Sequence, residues 1–169
     1  AFGGDYEAVN IFTGLATARE VVKTNLIVAG MGPGITGTAT RLGYSGVENF
    51  FINQAVKLLK GRSIIVPRIS LRDKRRRHKG ISHHTITLLK DLINDKIKVA
   101  FPENNLIKKQ IISNNLNKKH QILYYKTEEI YKILSNSEMK FCSMGRNLKD
   151  DPLFFITAGL ALYLLREGA

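Results

Sequence analysis

The segment Arg68-Ile-Ser-Leu-Arg-Asp-Lys-Arg-Arg-Arg-His-Lys-Gly-Ile-Ser-His-His-Thr85 places five arginines and three histidines within eighteen residues. Guanidinium groups grip carboxylates and phosphates in a fixed fork, and imidazole is the side chain whose ordinary pKa lets it exchange a proton near neutrality. Ser82 has the chemistry of a helix N-cap, which puts His83 and His84 in a first helical turn. A cationic ring there opposes the positive end of the helix dipole. At least one imidazole is therefore expected to be neutral and to act as acceptor, base or metal ligand. His83 and His84 are the candidate general acid or base, and Arg68 and Arg72 the candidate substrate clamps. The stretch from Asp73 to Lys79 is expected to be solvated or covered by an anion. Asp73, His78, His83 and His84 also invite a metal reading, but adjacent helical residues point about 100 degrees apart, so His83 and His84 should diverge. No i, i+4 pair of ligands is present, and the sequence reading assigns no metal and names no cofactor.

A second motif, Met31-Gly-Pro-Gly-Ile-Thr-Gly-Thr-Ala-Thr-Arg-Leu-Gly43, precedes it. Gly32 to Gly37 satisfies G-x-G-x-x-G, yet Gly43 and Gly46 interrupt the helix a dinucleotide site requires, and the next apolar run ends in Arg68 instead of an acid. No Gly-Lys-Ser or Gly-Lys-Thr follows, so a Walker loop is excluded. What is left is a looser anion nest of backbone amides around Gly34 to Thr38, the hydroxyls of Thr36, Thr38 and Thr40, and the Arg41 fork. The glycines could instead serve only a tight turn and close packing.

The 169-residue chain carries a formal net charge of +12. Much of that charge is lysine scattered among asparagine and isoleucine. Lys74-Arg-Arg-Arg77 could neutralise nucleic-acid phosphates, but the segment has no aromatic residue to stack bases, so a nucleic-acid partner is not favoured over a small anionic ligand. Ser45 and Ser82 lie in no nucleophile elbow. The single cysteine, Cys142, excludes a disulfide framework and agrees with a cytoplasmic setting. The longest apolar stretch, Pro152 to Leu165, is shorter than the roughly 20 residues a bilayer demands, so no membrane span is expected. Its apolar residues run around most of a helix, which predicts a cover, either a second subunit in a homo-oligomer or a missing N-terminal part.

These residues need a scaffold. Apolar runs at Asn25 to Ala29, Ser63 to Ile69, Ile97 to Phe101, Gln121 to Tyr125 and Lys140 to Met144 read as strands. Helical periodicity appears over Tyr6 to Val22, Val47 to Leu59, Ser82 to Asn94, Leu106 to Ser113, Thr127 to Leu134 and Pro152 to Arg166. This alternation predicts a single Rossmann-like α/β domain over residues 1–169, a three-layer, doubly wound, mostly parallel sheet of about five strands. Loops leaving the first two strands would then bring Arg41 and Arg68 into one crevice at the strand C-terminal ends.

At the two motifs the chain resembles an uncharacterised bacterial family, a domain of unknown function. That family has a Met-Gly-Pro-Gly loop with Gly-Thr and Thr-Arg, followed by an Arg-His segment ending Gly-x-Ser-His-His-Thr. The resemblance runs from about Gly3 to the Asp-Asp-Pro-Leu-Phe-Phe155 region. The chain departs from it at Ala39, where the family motif has glycine. Family members are longer, so the resemblance implies that this chain is their C-terminal half, in keeping with the absent initiator methionine. It implies no activity. The residues themselves point to an enzyme acting on a small phosphorylated or carboxylated metabolite; the alternative is a non-catalytic module binding a nucleotide or nucleic acid.

Overall fold

The computed structural model describes residues 3–31 and 34–166, so Gly32 and Pro33 of the glycine motif lie outside the described residues. The chain divides into two compact units, residues 1–63 and 64–169. In the first unit, α1 (Ile11–Glu20) begins at a capping box in which the Asn10 side chain accepts from the Thr13 amide and Thr13 Oγ1 accepts from the Asn10 amide. It packs with α2 (Glu48–Leu58), burying Leu15 and Ala55. The strand expected at Asn25 to Ala29 does not form. Leu26 and Val28 are 53% and 94% exposed, and among the described residues this run has no neighbouring strand with which to share backbone hydrogen bonds.

The second unit contains all the named strands: β1 (Ile69–Ser70), β2 (Gly80–Ile81), β3 (Lys98–Pro102), β4 (Gln121–Tyr125), β5 (Cys142–Ser143) and β6 (Arg146–Asn147). They pair two by two, β1 with β2 and β5 with β6 antiparallel, β3 with β4 parallel. A doubly wound sheet of five parallel strands is therefore not the fold. The local reasons are legible: of the run Ser63 to Ile69 only Ile69 enters a strand, which pairs with its own downstream loop. The run ending at Met144 turns back at once through Met144 and Gly145, whose φ angles of +53° and +73° make the tight turn of a hairpin.

The expected alternation survives at one crossover. Strand β3 leads through α4 (Asn105–Ser113) and the short α5 (Leu116–Lys119) to β4, in register from Lys98 opposite Gln121 to Pro102 opposite Tyr125. Val99, Ala100 and Phe101 are all buried, as a strand covered on both faces requires. Ala100 joins Ile130 of α6 (Glu128–Ser135) and Ile156, Leu160 and Leu164 of α7 (Pro152–Arg166) in one core cluster. Helix α7 thus buries one face inside its own unit, while Leu162 and Leu165 stay 55% and 40% exposed.

Between β2 and β3 lies α3 (His83–Thr87), capped by Ser82 and prolonged by a π-helical turn over Leu88–Leu92. The loop feeding this helix is braced by Gln110 of α4. Its Oε1 accepts from the Ile81 amide at 2.7 Å and its Nε2 donates to the Lys79 carbonyl at 3.1 Å. That carboxamide passes so close to Gly80, whose φ is +79°, that a Cβ there would strike it. Gly80→Ala combines a left-handed backbone penalty with a steric clash and should destabilise the protein by about 2–4 kcal/mol, read as a shift of the urea unfolding midpoint.

Candidate functional site

Asp73 organises the arginine loop. Its side chain is 2% exposed, and its Oδ2 takes hydrogen bonds from Arg68 Nη2 at 2.8 Å and Arg75 Nη2 at 3.0 Å. Oδ1 takes the Arg75 amide and Arg75 Nε at 3.0 and 3.1 Å. A third guanidinium, from Arg146 on β6, comes within 3.9 Å of Asp73 and places its Nε 3.2 Å from Oδ2 of the buried Asp151. Ser70 on β1 links the two acids, accepting from the Asp73 amide and donating to Asp151 Oδ2. The Asp73 carboxyl is held well below the ordinary carboxylate range, first by its hydrogen bonds to Arg75, with those to Arg68 adding to them against the opposing cost of burial. Met144, at the hairpin tip, brings its sulfur within 3.6–3.9 Å of Arg75, Arg68 and Arg146. Phe154 lies under Arg68, 5.5 Å from ring centroid to Cζ.

Arg68 also ties this cluster to the histidines through its backbone. Its amide donates to Thr85 Oγ1 on α3 at 2.9 Å, and its carbonyl accepts from the Ser82 amide at 2.9 Å. The His78, His83 and His84 rings converge, with centroids 4.1 Å apart for His83 and His84, 4.9 Å for His78 and His83, and 5.0 Å for His78 and His84. One ring nitrogen from each lies within 4.8 Å of the others. The expected divergence of His83 and His84 is thus not realised: side-chain torsions bring neighbouring rings together despite the angle between their Cα–Cβ bonds.

Burial is the first cause that lowers the proton affinity of all three rings. For His78 and His84, with Arg68, Arg75, the neighbouring imidazoles and, at His84, Arg77 adding repulsion, the pKa falls to about 4; His83 shifts the same way. His78 and His84 are therefore neutral at physiological pH.

Of the residues singled out in the sequence, Arg68, His83 and His84 come together here. Arg72 is exposed and outside the Asp73 cluster. Gly34, Thr36, Thr38, Thr40 and Arg41 belong to the first unit and are exposed. There the Thr38 amide donates to the Gly43 carbonyl at 2.7 Å, the Thr36 amide to Ser45 Oγ at 3.2 Å, and the Thr38 and Thr40 hydroxyls lie 3.0 Å apart, so these groups close the loop on itself. Asp73 and His78, expected in a solvated stretch, are buried. Ser70, Arg146 and Asp151 went unrecognised as site residues. A buried acid among arginines was the available signal at Asp73, whereas the arrival of Arg146 and Asp151 depends on tertiary packing.

The second unit is thus a helix-rich α/β body that presents a histidine trio beside an arginine–carboxylate cluster. The chain belongs to the protein family of unknown function DUF3866, whose model matches residues 1–162. No curated protein and no solved structure matches it. No helix among the described residues is long and apolar enough to cross a membrane.

The unfolded chain binds protons on histidine near pH 6.5, whereas folded His78 and His84 do so only near pH 4. Stability from these rings is therefore full above pH 6.5 and declines as pH falls from 6.5 toward 4. Thermal unfolding should show that decline, and side-chain NMR at pH 5.5 should find both rings neutral. In the first unit, Ala39 sits at φ +63°, a conformation glycine adopts without strain, so Ala39→Gly should stabilise the protein by about 1 kcal/mol in denaturant titrations.

Proposed function

We propose that the second unit binds a small phosphorylated or carboxylated ligand and acts on it as an enzyme, with Arg68 gripping the anion and His83 or His84 exchanging the proton. The observation that carries this reading is Nη1 of Arg68, which is buried and without a hydrogen-bond partner among the described residues, while Nη2 of the same group is committed to Asp73. A buried guanidinium N–H left unmatched is costly, and an anionic oxygen satisfies it with a charge-assisted bond. The neutral imidazoles suit the same ligand. An anion beside Arg68 offsets part of the positive field that suppresses their basicity, moving their pKa from about 4 back toward the range where a general base works.

A second reading, a non-catalytic module for a nucleotide or nucleic acid, draws on the exposed run Arg72, Lys74, Arg75, Arg76 and Arg77. The two differ in salt dependence and in which arginine matters. Thermal shifts should be measured across inorganic phosphate, phosphate esters and small carboxylic acids. Arg68→Ala should weaken binding roughly tenfold or more, the loss of one charge-assisted hydrogen bond, while Arg76→Ala leaves it within about twofold. His84→Gln should retain affinity and abolish turnover of the ligand class so found. Equal losses in both arginine variants, disappearing together as salt rises, would replace the enzyme reading with diffuse attraction to nucleic acid.

A further inference from the structure

We infer that His78, His83 and His84 form a three-nitrogen site for a divalent transition-metal ion of the zinc class, with the fourth position open to water or an anion. The inference rests on the proposed function only for the identity of the fourth ligand, and it makes His83 and His84 ligands in place of proton-exchanging groups. The ion itself is called for by the ring nitrogens.

The primary observation is convergence. Three imidazole nitrogens, one from each ring, lie within 4.8 Å of one another. Nitrogens about 2.0–2.1 Å from a tetrahedral zinc are about 3.3 Å apart, so adjustments of roughly an ångström in ring position close the set. The rings arrive from two directions, His78 from the 3-10 turn Arg76–His78 and the other two from the start of α3.

The second observation is orientation. Nδ1 of His78 is 2.7 Å from Ser82 Oγ, so this ring is fixed by one nitrogen and Nε2 is the one left to ligate. Imidazole ligands are held in this way, their second nitrogen bonded to an oxygen that sets the tautomer and the ring plane. Ser82 is itself fully buried and accepts from the His84 amide at 3.3 Å, which couples the aim of His78 to the helix bearing the other two rings.

The third is the charge around the trio, which the neighbouring guanidiniums set. The same guanidiniums bear on the ion. Asp73 offsets one of the two charges of Arg68 and Arg75, and Arg77 is exposed to solvent. The residual positive field favours an anion as fourth ligand, which is the ligand class that Arg68 Nη1 also calls for. Three imidazoles select zinc, cobalt, nickel or copper over magnesium and calcium, which take oxygen ligands. With the ion in place the three rings no longer exchange protons themselves, and that role passes to an ion-bound water.

The test uses the full chain, stripped with a chelator, dialysed and titrated with Zn2+ against a chromophoric chelator. One equivalent should bind, and His83→Gln and His84→Gln should each weaken binding at least 100-fold while circular dichroism remains unchanged. Because either variant could unfold, Co2+ is added to the wild type in parallel, where the intense visible absorption of a four-coordinate, histidine-bound ion should appear. No zinc uptake in competition, uptake unchanged in both variants, or a Co2+ spectrum of the hydrated ion would each overturn the inference. Phosphate binding is then measured on the metal-free protein. Arg68-dependent binding without zinc uptake would sink the metal site alone, and zinc uptake without phosphate binding would sink the anion reading alone.

Discussion

A carboxylate taken out of water must be met by cations and hydrogen-bond donors or it will not stay ionised, and Asp73 imposes that condition on its surroundings. Arg68 and Arg75 answer it from either side of the acid in sequence, and Arg146 approaches from a hairpin more than seventy residues on. The positions of β1, of the loop after it and of the β5–β6 hairpin therefore all serve one charge. Gathering guanidiniums around Asp73 then has a further effect at the histidines. Burial is the first cause that keeps His78 and His84 from taking protons, and Arg68 and Arg75 beside them add repulsion to it.

The sequence was most legible where local chemistry and tertiary context agree. The helix ending at Ser113, the strand Gln121–Tyr125 and the Pro152–Arg166 helix all carry periodicity that packing then used. It misled at Asn25 to Ala29 and Ser63 to Ile69, because a short apolar run states only that a segment could be a strand. Pairing is decided by a neighbour that the segment itself does not encode. For the site, the arginine–histidine segment was visible by composition, while the convergence of its rings was not. Helical spacing gives the direction of a Cα–Cβ bond, and the last two torsions of each imidazole, set by Ser82 at His78, decide where the nitrogens go.

The first unit has a different character. Its glycine motif is held by bonds among its own threonines, Gly43 and Ser45, with one antiparallel bridge between Gly37 and Tyr44. A loop whose donors are used internally is shaped from within, and its threonines act as the mortar of the turn.

The π-helical turn after the histidine helix has a consequence for how this protein breathes. A wider turn leaves carbonyls without their usual partners four residues on, and two of them are met from elsewhere: Leu89 by His120 Nε2 and Lys90 by Lys119 Nζ, both at 2.7 Å. Those donors sit at the threshold of β4, the strand paired with β3. Fraying of the histidine helix would therefore have to break bonds that anchor the parallel pair. Opening of this turn is thereby coupled to the start of the parallel pair.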